Sequence, residues 1–429
     1  MRLKSTNPAL IALVAEGFLM RLGFGIISFV VPLYARRLGL SIAETGLLLA
    51  ITGIVKVALK PLAGWFSDRV GAKRGLVAAL SLRSLVSFLF AFCSSPWQLY
   101  TIRTVHGLST SLRDPAVNAL IAENGDENAM ASAFAWYFTA KSLASSLGKA
   151  VAGLLLTLTA SNYTGVFLIT WAISSLTLPA IVLFVPGARR ELERARAAAQ
   201  PDAAPAERGE SRARGGGPGI YRRAAGLVGL GFLISVTASM IDRFYPILAT
   251  EYAHMTPARA GMVYLASALV AVVSGPFFGW MSDRVGRKPT VVVRSAANAG
   301  SSLLYLLAPN AAGFTAGKLL DDAGRAGFRP VWGALKADAS RVHPRQRAQM
   351  MGVMDVGDDA GDVFGPIAGG LLWDAWGIVG LLLARIAVAG LTELYAAAVL
   401  WARRPEPVAG SVRQLPFRPW ARRPGGGPP

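Results

Sequence analysis

The chain alternates between long apolar segments and short polar ones. Apolar segments of roughly 20 residues, the length that crosses the hydrocarbon core of a bilayer as an α-helix, recur along the sequence as far as residue 401. This pattern predicts twelve membrane-spanning helices, which we number as spans in chain order. They lie at about 9–34, 43–66, 75–95, 97–121, 131–158, 163–186, 224–249, 258–281, 289–308, 313–336, 348–373 and 377–401.

Two polar segments interrupt or follow this pattern. Residues 187–223 are rich in Pro, Gly, Ala and Arg, and residues 402–429 have the same character. Such a composition is typical of solvated linkers and of chain ends that build no core. We therefore predict a six-helix bundle over residues 1–186, a cytoplasmic linker over 187–223, a second six-helix bundle over 224–401 and a disordered cytoplasmic tail over 402–429.

The two halves of the chain repeat each other. The stretch "GWFSDRVGAKRG" at 64–75 returns as "GWMSDRVGRKPT" at 279–290, an offset of 215 residues. The same offset aligns Pro115 with Pro330, and an offset of 217 aligns Gly148 with Gly365. We therefore predict two bundles in the same orientation, related by an axis along the membrane normal.

Composition and charge agree with a membrane protein. Hydrophobic residues make up 53% of the 429 residues and charged residues only 16%. The net charge of +19 is concentrated in polar segments that fall on one side of the bilayer, so the positive-inside rule predicts both chain ends in the cytoplasm. We expect a multi-pass protein of the bacterial inner membrane, or of a membrane derived from it. A site for anionic lipid is the alternative interpretation of the basic excess, and no nucleic-acid partner is expected.

Several functional classes find no support in the sequence. It contains no G-x-x-x-x-G-K-[ST] phosphate loop, no catalytic triad and no cluster with metal-ligand spacing. Its single cysteine, Cys93, can form no intrachain disulfide. We predict that the protein is not an enzyme, and we expect no cofactor and no metal site.

The sequence has twelve predicted spans in two sets of six, a basic central loop and two copies of G-x-x-x-D-R-x-G-x-K. In these features it resembles the major facilitator superfamily of secondary transporters, over residues 1–401. The resemblance implies an all-α fold of two pseudo-symmetric six-helix bundles around a central site that faces each side of the membrane in turn. It also implies that the repeated loops form a cytoplasmic latch, and fixing topology by charge alone is the alternative role. The latch residues are Gly64, Asp68, Arg69, Gly71, Lys73, Gly279, Asp283, Arg284, Gly286 and Lys288.

The eleventh span carries an acidic stripe. Four Asp residues at i, i+3, i+4 and i+7 occupy one face of a helix, and charges at mid-bilayer cost about 2.5–3.5 kcal/mol unless they face partners or water. In the family architecture the second span packs against the eleventh, which implies ion pairs between the halves that open and close during transport. These pairs would join Lys56 and Lys60 to Asp355, Asp358 and Asp359. Asp362 is a candidate proton site, and a metal site of oxygen ligands on this stripe is the alternative.

The spans of the N-terminal half are strongly basic. Such a surface suits an anionic solute, and permanent pairing with acidic residues of the other half is the alternative. Arg103, in "RTVHG", resembles the charged residue of a superfamily motif that has a part in proton coupling. The candidates for coupling or substrate binding are Glu16, Arg21, Arg103, Lys141, Lys149, Asp242, Asp321, Asp322 and Asp362.

One motif departs from the family pattern. Drug and metabolite antiporters of the superfamily carry G-x-x-x-G-P-x-x-G-G in the fifth span, whereas here Lys149 stands at the place of the Pro. The full motif lies instead in the eleventh span, as "GDVFGPIAGG". We expect Gly365, Pro366, Gly369 and Gly370 to form a flexing interface rather than a ligand site.

These observations together predict a secondary active transporter. We expect a monomer in the bilayer that moves a small solute by alternating access, with protons as the coupling ion and efflux of a drug or metabolite as the favoured direction. Uptake or export of an anionic metabolite is one alternative. Residues 83–123 and the acidic eleventh span also resemble superfamily proteins of magnetosome membranes, which implies iron-related transport, and a non-transporting receptor on the same scaffold is a further alternative.

Overall fold

A computed structural model of the chain describes residues 8–124, 130–185, 218–285, 287–340 and 347–401. Over these residues the protein is built of α-helices, and the described ranges contain no β-strand. The predicted tail and most of the predicted linker lie outside them.

The described residues of the N-terminal half form six helices, which correspond to the first six predicted spans. They are α1 (Pro8–Arg37), α2 (Ile42–Val70), α3 (Ala72–Phe90), α4 (Pro96–Asn124), α5 (Met130–Leu158) and α6, which consists of the segments Tyr163–Ser175 and Thr177–Phe184. A reciprocal cap fixes the start of α2, where the backbone N–H of Ser41 donates to Glu44 Oε2 and the N–H of Glu44 donates to Ser41 Oγ.

The described part of the C-terminal half forms another six helices. α7 consists of Pro218–Asp242, Tyr245–Ile247 and the π-helical turn Leu248–Tyr252, and it is followed by α8 (Pro257–Val285), α9 (Arg287–Leu307) and α10 (Ala311–Ser340). The segment Arg347–Trp401 bends at Gly377, where φ is +67° and ψ is −178°, and the bend divides it into α11 and α12. The twelve predicted helices are thereby confirmed.

Two details differ from the expected pattern. α7 begins at Pro218, within the predicted linker, because proline is favoured in the first turn of a helix, where its missing N–H costs nothing. Length and apolar composition alone identify six segments able to cross a membrane, one of which, Met350–Val399, holds both α11 and α12. Some of the other helices carry charged residues that line the interior described below.

The helix boundaries reproduce the sequence repeat. α2, α3 and α4 begin at residues 42, 72 and 96, and α8, α9 and α10 begin 215 residues later at 257, 287 and 311. α5 begins at 130 and the segment containing α11 begins 217 residues later, at 347. The offset therefore changes from 215 to 217 between the start of α4 and the start of α5.

The helices define two faces of the bundle. Pro8, Trp401 and the α2–α3 and α8–α9 turns lie at one face, which we call the terminal face. The α1–α2, α5–α6, α7–α8 and α11–α12 turns lie at the other, which we call the opposite face.

Glycines let the two halves meet closely toward the opposite face. A Cβ on Gly46 of α2 would lie 2.4 Å from the carbonyl oxygen of Pro366 in α11, and a Cβ on Gly153 of α5 would lie 2.1 Å from that of Pro257 in α8. Such close backbone contact requires residues without a side chain. Arg36 and Glu251 add an ion pair of 3.5 Å between the halves at the same face. This face is therefore sealed in the present conformation.

The predicted flexing interface is only partly an interface between halves. Pro366 and Gly370 contact α2, whereas a Cβ on Gly365 or Gly369 would meet α7 of the same half. The small residues of α11 thus allow close packing on two sides.

Candidate functional site

A cavity of about 630 Å³ lies between the two halves, within the range of sizes that hold small-molecule ligands. Helices of both halves contribute to its wall. Eleven basic and five acidic residues line it, namely Arg21, Lys56, Arg83, Arg103, Arg113, Lys141, Lys149, Arg243, Arg294, Arg325 and Arg329 with Asp114, Asp242, Asp358, Asp359 and Asp362.

One buried ion pair stabilises the N-terminal half behind this wall. Glu16 of α1 is 0% exposed and accepts two hydrogen bonds from Arg113 of α4, both at 2.7 Å. Arg113 Nη2 also donates to the hydroxyl of Tyr137 in α5, at 2.9 Å. Glu16, a sequence candidate for coupling, is thus held in a closed pair that ties three helices together.

Three arginines of the N-terminal wall have no such partner. Among the described residues, no carboxylate lies within ion-pairing distance of Arg21, Arg83 or Arg103. Arg83 and Arg103 are each 4% exposed. Arg83 Nη1 donates to the hydroxyl of Thr110 at 3.1 Å, and Arg103 Nε has no hydrogen-bond partner. The basic bias read from the sequence is therefore uncompensated at these residues.

The two lysines of α5 contact aromatic rings. Lys149 Nζ lies 4.0 Å from the ring centroid of Tyr264 in α8, across the interface between the halves. Lys141 Nζ lies 5.0 Å from the ring of Tyr137 on its own helix. A cation over an aromatic face is stabilised by the ring quadrupole, but the ring does not neutralise its charge.

The acidic candidates of the C-terminal half are strongly paired. Asp242 of α7 accepts from Lys318 at 2.8 Å and lies 3.1 Å from Arg325, and Lys318 also lies 2.9 Å from Asp322. The structure brings Asp242, Asp321 and Asp322 together, with cations from α10 between them.

Two arginines that complete this network escaped the sequence analysis. Asp321 lies 3.0 Å from both Arg294 of α9 and Arg385 of α12, and Arg385 is 0% exposed. Each of the two is the only basic residue of its predicted span. A charge inside the membrane requires a partner or water, and this signal was available from the sequence.

The acidic stripe of α11 pairs within its own half. Lys336 of α10 lies 2.5 Å from Asp355 and 3.0 Å from Asp358, and the Trp332 ring N–H donates to Asp358 at 2.9 Å. Lys56, expected to pair with this stripe, instead lies 3.5 Å from Asp114 of its own half.

The predicted ion pairs between halves are therefore wrong for Lys56, Asp355 and Asp358 in this conformation. Each side chain finds a nearer partner on a neighbouring helix of its own half. Asp359 lines the cavity, and the side chain of Lys60 lies outside the described residues. An exchange of partners in the alternate conformation stays a prediction.

Asp362, the last Asp of the stripe, is exposed in the cavity. Its Oδ1 lies 2.9 Å from the hydroxyl of Ser239 in α7, and no basic residue of the described chain lies within ion-pairing distance. The same Ser239 hydroxyl is also in hydrogen-bond contact with the carbonyl oxygen of Ser235.

The latch motif is described only in part. The side chains of Asp68, Asp283 and Lys288, and the surroundings of Gly64, Gly279 and Gly286, lie outside the described residues.

Four members of the motif can be placed. Arg69 stacks on Trp65 at 4.6 Å and Arg284 stacks on Trp280 at 5.0 Å, one helical turn away in each case. Gly71 has φ of +89°, which a side chain would disfavour, in the turn between α2 and α3. Lys73 Nζ donates to the carbonyl oxygens of Val182 and Val185 and so caps the end of α6. A latch between the halves stays a prediction.

Comparisons with known proteins give a consistent result. The sequence matches the family model described as Major Facilitator Superfamily over residues 15–225 and 227–424. It is 31% identical over 190 residues to a Na(+), Li(+), K(+)/H(+) antiporter of Planococcus maritimus, which covers 43% of this chain and 43% of that protein. It is 30% identical over 130 residues to the quinolone resistance protein NorA of Staphylococcus aureus, which covers 30% of this chain and 34% of that protein. The matched stretch is less than half of either relative.

Solved structures agree in fold. The nucleoside transporter NupG is similar with a TM-score of 0.72 and 14% identity, covering 92% of this chain and 98% of that chain. A bacterial homologue of the human lysosomal transporter Spinster, in an inward-facing and occupied conformation, is similar with a TM-score of 0.70 and 15% identity, covering 92% and 96%. At these identities the likeness shows the architecture and not the substrate.

Proposed function

The chain belongs to the Major Facilitator Superfamily and is a membrane transporter rather than an enzyme, and from this premise we propose that it moves a small organic anion through the central cavity by proton-coupled alternating access. The cavity is the region where the two halves are apart, and the glycine contacts seal it at the opposite face. Rocking the halves about this region would open that face and close the terminal one.

The charge of the cavity wall carries the proposal. Basic residues outnumber acidic residues eleven to five along the described lining, and the acidic residue Asp242 is already paired with Lys318 and Arg325. A wall with an excess of positive charge attracts anions and raises their local concentration. Arginine also offers a planar fork of donors that fits carboxylate and phosphate oxygens.

Asp362 is the residue to which we assign proton coupling. A hydroxyl donates a single hydrogen bond, yet Ser239 Oγ contacts two acceptors, the Ser235 carbonyl and Asp362 Oδ1. Both contacts are satisfied when Asp362 is protonated and donates to Ser239, which then donates to Ser235. The hydrogen-bond geometry therefore provides a place for one proton between Asp362 and Ser239. The relative from Planococcus is described as an antiporter that uses protons, which agrees with this coupling ion.

The charge distribution along the chain supports an orientation. The terminal face bears most of the Lys and Arg of the sequence, so we assign it to the cytoplasm of a bacterial inner membrane. The cavity is then reached from the cytoplasm in this conformation. We further propose that the working unit is a monomer, because both halves of the cavity come from one chain.

Efflux of a drug is the second candidate function, and the similarity to the quinolone resistance protein favours it. The iron-related alternative gains no support from the described residues, which contain no group of three or more His, Cys, Asp or Glu placed to hold a metal ion.

Flux measurements in proteoliposomes test the proposal. With an imposed pH gradient, the wild-type protein should drive accumulation of members of an organic-anion panel and not of lipophilic cations or Fe²⁺. Asp362→Asn should abolish the effect of the pH gradient but retain exchange of solute for solute, whereas Asp374→Asn, at an exposed Asp of the same helix, should behave as wild type. Accumulation of cations alone, or gradient-driven flux in Asp362→Asn, would refute the assignment.

A further inference from the structure

Two arginines on the N-terminal wall of the cavity share one aromatic ring. The guanidinium carbon of Arg21, on α1, lies 4.6 Å from the ring centroid of Phe24, and that of Arg83, on α3, lies 5.5 Å from the same centroid. Both side chains line the cavity. Phe24 therefore contacts two cations from different helices at the cavity wall.

These two cations lack the counter-charges that other buried arginines have. Arg113 pairs with Glu16, and Arg294 and Arg385 pair with Asp321. Among the described residues, Arg83 has only the neutral hydroxyl of Thr110. Neighbouring like charges removed from water destabilise the empty protein. An anion that enters the cavity relieves this destabilisation, because it supplies the missing charge and accepts charge-assisted hydrogen bonds.

We propose that Arg21 and Arg83, arranged on Phe24, form the subsite that binds the charged group of the transported solute, and that this group carries two negative charges, as a phosphate monoester or a dicarboxylate does. A single carboxylate would neutralise only one of the two guanidiniums. A dianion neutralises both, and it has enough oxygens to accept from both forks and from the Thr110 hydroxyl.

The surroundings of the pair favour the dianion further. Arg103 lines the same cavity, is 4% exposed and has an Nε without a hydrogen-bond partner. The carboxylate of Asp114, the acidic lining residue of this half, is occupied by Arg113 and Lys56. The wall therefore retains positive charge beyond the pair itself. This inference rests on the proposed transport of an organic anion and names the chemical class of that anion and the residues that select it.

Ligand-dependent thermal stability of the purified protein in lipid nanodiscs tests the subsite. The probes are glycerol 3-phosphate and succinate as dianions from the two chemical sources, lactate as the monoanion and glycerol as the neutral control. We expect at least one dianion to bind the wild type, at least tenfold more tightly than lactate, and no effect of glycerol. Arg21→Gln and Arg83→Gln each remove one charge-assisted contact, so each should weaken binding of the dianion by about tenfold to a hundredfold. Arg259→Gln, at an exposed arginine of the opposite face, should leave the affinity for the dianion unchanged.

A measurement without ligand separates a binding role from a structural one. If Arg83 serves to bind an anion, its replacement by Gln removes an uncompensated buried charge, and the empty protein should melt at the same or a higher temperature than the wild type. Arg83→Lys keeps the charge but loses the fork, so it should bind the dianion with intermediate affinity. A lowered melting temperature of empty Arg83→Gln would instead identify a structural arginine and overturn the proposal.

The remaining outcomes are also decisive. Equal binding of lactate and the dianions, binding of none of the probes, or unchanged dianion affinity in both glutamine variants would each overturn the subsite. Failure of the subsite is distinguishable from failure of the proposed function. Gradient-driven anion flux that is insensitive to Arg21→Gln and Arg83→Gln refutes the subsite alone, whereas dianion binding without gradient-driven flux refutes the transport mechanism alone.

Discussion

Replacement of Arg113 by Gln should destabilise the protein strongly, because it leaves a carboxylate without a counter-charge in the interior. Glu16 is 0% exposed, and Arg113 supplies both of its ion-pair contacts at 2.7 Å. Arg113 also connects α1 to α5 through the Tyr137 hydroxyl. No other basic residue of the described chain lies within ion-pairing distance of Glu16.

The expected magnitude follows from the burial of the pair. Breaking a buried ion pair by removal of one partner costs about 3–5 kcal/mol, since the remaining charge keeps its desolvation penalty and loses its attraction. Replacement of both partners removes both penalties. The double variant Glu16→Gln/Arg113→Gln places two amides opposite each other, and these can exchange hydrogen bonds. The double variant should recover at least half of the unfolding free energy that Arg113→Gln loses.

The assay is equilibrium unfolding of the purified protein by sodium dodecyl sulfate in mixed micelles, which yields the free energy of unfolding for the wild type, both single variants and the double variant. The interaction energy of this cycle isolates the pair. Two results would contradict this reasoning: a loss of unfolding free energy below about 1 kcal/mol in Arg113→Gln, or a double variant no more stable than Arg113→Gln. Either result would show that Glu16 is not left as an uncompensated charge in Arg113→Gln.

Three further predictions concern other charges and the sealed face. Asp321→Asn should lower the free energy of unfolding by at least about 3 kcal/mol, because it leaves Arg294 and Arg385 unpaired in the interior. The prediction would be contradicted if the variant gave the same folded yield on gel filtration and the same unfolding curve as the wild type. Asp355→Asn should cost less than about 1 kcal/mol in the same unfolding assay, because the side chain of Asp355 is 48% exposed, and a larger loss would contradict it. Gly46→Val should favour the alternate conformation, because its Cβ would lie 2.4 Å from a backbone oxygen of α11. Accessibility of a cysteine placed in the cavity should then decrease from the terminal face, and unchanged labelling would count against the sealing role.

The helices could be predicted because apolar length is a local property. A segment of roughly 20 apolar residues satisfies its own backbone hydrogen bonds and crosses the bilayer without help from the rest of the chain. The repeat could be predicted because the two halves carry corresponding glycines and prolines at a constant offset, and the helices begin at the same offset of 215. The predicted start at residue 224 differs from the observed start of α7 at Pro218, because apolar length does not report where a polar extension of a helix begins.

The partners of the charges could not be predicted from spacing along one helix. The stripe of α11 was correctly recognised as facing inward, since Asp358 and Asp362 line the cavity. Its cations were expected to be Lys56 and Lys60, whereas the structure places Lys336 of α10 beside Asp355 and Asp358. Likewise, only the folded bundle shows that Arg385 of α12 pairs with Asp321 of α10.

The sequence by itself determined the number of helices, the two-fold repeat and the presence of charges that must avoid lipid, because each of these follows from local composition and from the energy of moving a side chain into hydrocarbon. The tertiary structure alone decided which charges neutralise one another. An ion pair depends on distances of 3–4 Å between helices that are far apart in sequence, and those distances are set by helix rotation and close glycine contacts. For this reason Glu16 and Arg113 became a structural pair, while Arg21 and Arg83 were left without carboxylate partners at the wall of the cavity.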